Sequence, residues 1–279
     1  MTRPVRAEAT ALRWDHRSDQ PHVITRRALR RRWRGRAASE YLGTLGWSLV
    51  AAPLAALQAL APPRIAPPAP REAIGLGISP LDHPLNDIAN LLDEIGCQRV
   101  LVRFEWRRMH RWPELCAAIQ HLNRPCLAVL VQDRPAVVNQ RRWRAGLQRF
   151  HQLRPPQVEA VQAVQAINRL KWGCATPGEA WPLQRLAAAA QAHYAPNIPL
   201  LGSGVIDFEP LATLRSLIGN PGAVRFAAAA ALLYVDRRGG PSNTQYGIFN
   251  LRRKIAALSA LAAISPHCHD PALWLTEVN

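Results

Sequence analysis

The chain has 279 residues, 48% of them hydrophobic, which is ample for a core in one large domain or two smaller ones. Its net charge of +16 comes from 35 Lys+Arg against 19 Asp+Glu and is almost all arginine, since Lys171 and Lys254 are the only lysines. That pattern, with abundant Ala and Pro, points to a GC-rich coding bias and weakens a functional reading of the charge. Five cysteines (Cys97, Cys116, Cys126, Cys174, Cys268), odd in number and without a CxxC pair, exclude a zinc ribbon or a thioredoxin-like site.

Residues 1–40 are a polar leader with eleven arginines against Glu8, Asp15, Asp19 and Glu40, a net of +7. Residues 41–61 then carry no charge over 21 positions. That length reaches across a bilayer, and the basic run before it favours a cytoplasmic N-terminus. Pro53, Gln58, two glycines and many alanines keep the segment only moderately apolar, however. An interfacial or packed helix is therefore favoured over a signal anchor or a disordered leader. The expected location is cytoplasmic or associated with the inner membrane, with residues 26–61 offering a membrane contact. Residues 62–71, opening on Pro62-Pro-Arg-Ile-Ala-Pro-Pro-Ala-Pro70, read as a linker, because prolines cannot continue a helix. A folded region is expected from 72 to 279.

Within it, strand-like runs are expected at Ala73–Ile78, Arg99–Phe104, Cys126–Val131, Val158–Ile167, Leu200–Ile206, Ala228–Val235 and Leu273–Val278. Between them lie helical patterns at Leu85–Ile95, Trp112–His121, Arg141–Gln152, Glu179–His193, Pro210–Leu217 and Tyr246–Ala263. Continuous apolar strands separated by amphipathic helices predict a parallel sheet covered on its outside. The expectation is an α/β (β/α)8 TIM barrel with about seven units and strand 8 missing. A doubly wound sheet is the alternative, but Gly75-Leu76-Gly77 lacks the third glycine of a dinucleotide loop.

In such a barrel the C-terminal ends of the strands face the active site. They supply Arg103-Phe104-Glu105-Trp106, Gln165-Ala166-Ile167-Asn168-Arg169, Asp207-Phe208-Glu209, Tyr234-Val235-Asp236-Arg237-Arg238 and Glu277. An Arg, an Asn, a Tyr and a Glu at one mouth suit sugar recognition, with Trp106 and Trp172 as stacking surfaces. His267-Cys268-His269 lacks partners to complete a metal set, so neither metal nor cofactor is expected.

This ordered set resembles the clan A retaining glycoside hydrolases across residues 73–279. Val102-Arg103-Phe104-Glu105-Trp106 is similar to the strand-2 segment whose arginine contacts the nucleophile. Leu275-Thr276-Glu277 is similar to the strand-7 ending that carries the nucleophile, and Tyr234 to the strand-6 tyrosine that hydrogen-bonds it. The strand-4 Asn-Glu-Pro-Asn of that clan falls on Gln165-Ala166-Ile167-Asn168, which places Ala166 where the resemblance implies the acid/base. A retaining glycosidase needs that second carboxyl, and alanine transfers no proton. Neither Glu159, Glu179 nor Glu209 is a convincing replacement.

A barrel with seven strands leaves the edges of its first and last strands open. A truncated frame, a strand from a partner, residues 41–61 covering the gap and a sheet that is no barrel all account for this, truncation being favoured. The expected function is a glycosidase-like protein that acts on or binds carbohydrate, an oligosaccharide or glycoconjugate, with impaired catalysis. The alternative is a non-catalytic glycan-binding or envelope-associated protein. A nucleic-acid partner finds no reading module to support it.

Overall fold

The computed structural model describes residues 12–13, 23–24, 26–35, 37–59, 74–206, 209–222, 224–234, 243–245, 247, 250–270 and 272–278. The expected linker, the boundary near residue 71, and Asp207, Phe208, Val235, Asp236, Arg237, Arg238 and Tyr246 lie outside them. The fold is α/β. Five parallel strands follow one another in sequence order: β1 (Gly75–Ile78), β2 (Arg99–Glu105), β3 (Cys126–Val131), β4 (Val158–Gln162) and β5 (Leu200–Leu201). A second parallel pair, β6 (Ala229–Leu233) and β7 (Leu273–Val278), continues the order. Backbone bonds from Ala227 N to Leu200 O (2.8 Å), Gly202 N to Ala228 O (2.9 Å) and Leu232 N to Val205 O (3.2 Å) join the two sheets. Among the described residues, β1 pairs only with β2 and β7 only with β6.

The helices are α1 (Arg27–Gly35), α2 (Ala38–Ala59), α3 (Leu85–Glu94), α4 (Trp112–Leu122), α5 (Arg134–Val138), α6 (Gln140–Leu153), α7 (Trp181–Tyr194), α8 (Pro210–Leu217) and α9 (Leu251–Ile264). Most begin and end within two residues of the periodicity. The short α5 was not expected. Asp133 caps it, its carboxylate accepting from Ala136 N at 2.8 Å, and Pro135 fits the first turn, where no amide donor is needed. α9 starts at Leu251 because the Asn250 side chain accepts from Arg253 N at 3.0 Å. Strand 4 was expected to run to Ile167 but stops at Gln162. Val164 (φ 63°) and Ala166 (φ 44°) sit in the left-handed region, where no pleated strand continues. The fifth strand was expected to reach Ile206. It forms a ladder only at Leu200–Leu201, and after Gly202 and Gly204 a single bridge joins Ile206 to Leu232.

Strand alternation divides the core into two layers. On the helix side, Val100, Val102, Phe104, Ala128 and Leu130 pack with Trp112, Ile119, Trp143, Leu147 and Phe150. On the opposite face Leu127, Val129, Val131, Ala160, Leu201, Ala230 and Leu232 meet one another, with Leu101 and Trp274 against them. Both faces are covered, so β3 is buried at every position and reads as an unbroken apolar run.

α2 packs chiefly on α8 and α9, the helices on either side of β6 in the chain. Ala51 shares a buried cluster with Leu214, Leu217, Leu261 and Ala262. Glu40 holds the buried Arg215 through two contacts of 2.8 and 3.1 Å. The segment thus does not chiefly fill the gap between β7 and β1. No helix among the described residues is long and apolar enough to cross a membrane.

Candidate functional site

Arg103 lies on the inward face of β2, between the inward Leu101 and Glu105, and its guanidinium meets the Glu277 carboxylate of β7 at 2.9 Å. Five strand gaps separate β2 from β7, which would put them roughly 24 Å apart in a flat sheet at ~4.8 Å per gap. An arginine and a glutamate together reach far less, so the parallel surface curls until its second and seventh strands face each other.

Glu277 reaches that interior through a bulge. Leu273 and Leu275 pack outward with Leu258 of α9, and Trp274 packs inward. Strict alternation would then turn Glu277 outward. The register instead pairs Leu275 with Ala231 and Glu277 with Leu232, passing over Thr276, so Glu277 takes the inward face of Leu232.

The strand-4 loop closes the site from a third side. Gln165 Nε2 lies 3.5 Å from the same Glu277 oxygen that Arg103 holds, and Gln165 Oε1 accepts from Gln162 Nε2 at 2.5 Å. Gln132, just past β3, fixes this loop: its amide donates to Gln165 O (2.6 Å) and Trp172 O (2.7 Å) and accepts from Gln165 N (2.9 Å). Sequence reading missed Gln132, although its place at the end of a strand was the available signal. The side chains of Arg103 and Glu277 are 26% and 29% exposed, so a solute can reach both.

Two expected stacking residues do not serve that role. Trp106 is 1% exposed and stacks on Trp143 at 3.9 Å in the helix-side layer, because the chain turns outward after Glu105 into a 3-10 segment. Trp172 is 6% exposed, and the Arg103 guanidinium lies 5.6 Å from its ring centre. Its face supports the arginine and offers no open platform. Asn168 ties two loops together, donating to Ile206 O (3.0 Å) and Glu209 (2.9 Å) and accepting from Ile206 N (3.0 Å). Tyr234 is half-buried against the inner cluster that contains Trp172 and Leu232, and its carbonyl accepts from the buried Lys254.

The other carboxylates have partners. Glu159 binds Arg99 at the N-terminal end of the sheet, away from the mouth. Glu179 accepts from Arg134 (2.5 Å) and Ala175 N (2.7 Å), and Glu209 pairs with Arg169 at 3.0 Å. Glu105, two residues beyond Arg103, binds Arg107 at 2.9 Å and Arg108 at 3.3 Å. Burial pushes its carboxyl above the usual range, and those arginines pull it partly back. No cluster of potential metal ligands occurs among the described residues.

The sequence matches no protein-family model and no curated protein. Among solved structures it is similar to the Ignisphaera aggregans GH53 catalytic domain, at 14% identity and a TM-score of 0.43. The match covers 62% of this chain and 63% of that one, less than two thirds of its length, a likeness too distant to assign fold or chemistry.

Proposed function

We propose that residues 72–279 form a (β/α)8-type barrel of which the described residues supply seven strands, and that it binds carbohydrate at a glycosidase-like site with little or no catalysis. The observation that carries this reading is the 2.9 Å contact between Arg103 and Glu277, which supports a curled sheet. It joins the two positions that resemble the arginine and nucleophile of clan A glycosidases. The partly exposed Glu277 carboxylate and Arg103 guanidinium then offer acceptors and donors to sugar hydroxyls, with the buried Gln165 amide bracing the carboxylate.

The same site is poor for hydrolysis. Ala166 stands at the acid/base position, is fully buried, and packs with Trp172 and Leu232. Glu159, Glu179 and Glu209 are engaged elsewhere, so nothing among them protonates a leaving oxygen. Losing general acid catalysis removes about 10²–10⁴-fold in rate. The expected outcome is negligible turnover of ordinary glycosides and relatively better turnover of aryl glycosides whose leaving groups need no proton. The comparison is made on the unmodified chain and on Ala166→Glu. Robust hydrolysis of unactivated glycosides by the unmodified chain would overturn the assignment of Ala166. The same proposal divides the chain into a basic leader (1–40), an apolar segment (41–61) that supplies most of α2, a linker (62–71) and a barrel (72–279).

A further inference from the structure

An α-helix on a water-soluble fold turns its leucines inward and its polar side chains outward. α2 does the reverse. The face it docks carries mainly small residues, with Trp47 at its edge against Gly219: Ala51 is fully buried, Ser48 is 4% exposed, and Gly43 lies against Arg215. The two hydroxyls on this side stay bonded within the helix, Thr44 to Glu40 O (2.8 Å) and Ser48 to Thr44 O (2.6 Å), so docking leaves neither unsatisfied. At helical spacing on the other side stand Leu42 (71% exposed), Leu45 (51%), Leu49 (72%), Val50 (61%) and Leu57 (68%). These positions fall on one arc of the helix, and a stripe of that kind marks an interaction surface.

The charge beside it identifies the occupant. α1 ends at Gly35, three residues before α2 begins, and Arg26, Arg27, Arg30, Arg31, Arg32 and Arg34 are all exposed. Its one buried residue, Trp33, lies under the Arg134 guanidinium at 4.4 Å, so the basic helix is anchored to the fold. We infer that α1 and α2 form a docking surface for an anionic lipid bilayer, with the leucine stripe lying in the interface plane and the arginines on the headgroups. An in-plane helix needs an apolar face and flanking cations rather than the length and hydropathy of a span. A second copy of the chain is the weaker occupant, because it would bring two such arginine clusters together.

The test is co-sedimentation of the full chain with phosphatidylcholine vesicles, with and without phosphatidylglycerol, alongside a Leu42→Asn/Leu49→Asn/Leu57→Asn variant. The expected result is binding only to the anionic vesicles, weakened by salt, and reduced about tenfold or more in the variant. Because the three leucines are exposed, the variant should keep the thermal midpoint of the parent. Binding that is absent, indifferent to lipid charge, or unchanged in the variant would overturn the inference. So would concentration-dependent dimerisation that the variant abolishes without any vesicle binding, which would assign the face to a second copy.

Discussion

Replacing Gly146 of α6 by alanine sets two physical effects against each other. By helix propensity alone the change stabilises, because glycine in a helix interior costs about 1 kcal/mol relative to alanine. A Cβ at this position would fall 2.3 Å from Trp106 Nε1, 2.5 Å from Cε2 and 2.7 Å from Cζ2. The indole has nowhere to retreat. It is stacked on Trp143 at 3.9 Å, and Trp112 meets it edge-on at 5.1 Å, all three rings being 1% exposed or less. Overpacking a site of this kind costs about 3 kcal/mol, at the upper end of the usual range. The net loss is then about 2 kcal/mol, or about 4–8 °C in the thermal midpoint of a domain this size. Thermal and urea unfolding of the parent and Gly146→Ala measure it. Sugar binding should be unaffected at temperatures where the variant is folded. A midpoint that stays put or rises would mean that Trp106 is not locked in the helix-side core, and would return it to the candidate site.

Glu40→Gln should lower stability by about 3 kcal/mol, since it leaves the buried Arg215 without its carboxylate; an unchanged urea midpoint would show that α2 docks without this pair. His151 is partly buried between Phe150 and Tyr194, and burial, then the nearby Arg154, lowers its pKa from 6.5 to about 4. The folded state therefore holds a neutral ring where the unfolded chain takes a proton, so stability is full above about pH 6.5 and falls as pH drops towards 4. His151→Phe should flatten that decline, and an identical pH profile in the variant would refute the assignment.

The sequence was most legible where one physical cause acts alone. β3 coincides with its apolar run because burial on both sides selects for little else. β7 also keeps its expected bounds, although its residues are only partly buried. Helix limits mostly shifted by a residue or two, whereas the Asn250 cap starts α9 at Leu251, five residues after the expected Tyr246. Backbone detail was not legible. Nothing in Val158–Ile167 announces that Val164 and Ala166 adopt positive φ, or that the strand stops at Gln162. The bulge at Thr276 is a similar case: alternation from Trp274 predicts an outward Glu277, and only the register across β6 shows the reverse. Composition at strand ends brought Arg103 and Glu277 to notice. It also nominated Trp106 and Trp172, because a tryptophan near a strand end reads the same whether it faces solvent or core. α2 was legible as a helix, but its docking by the small-residue face follows from partners on α8 and α9 that lie far away in the chain.

The proposed carbohydrate site without turnover is built on Arg103 and Glu277, with the buried Gln165 bracing the carboxylate. Its most direct measurement is calorimetric titration of the unmodified chain and of Glu277→Gln with a panel of oligosaccharides, with released reducing ends assayed in the same samples. The account predicts that some member of the panel binds, that Glu277→Gln loses that binding, and that no reducing ends appear. Equal binding by parent and variant, or binding by neither across the panel, would contradict it.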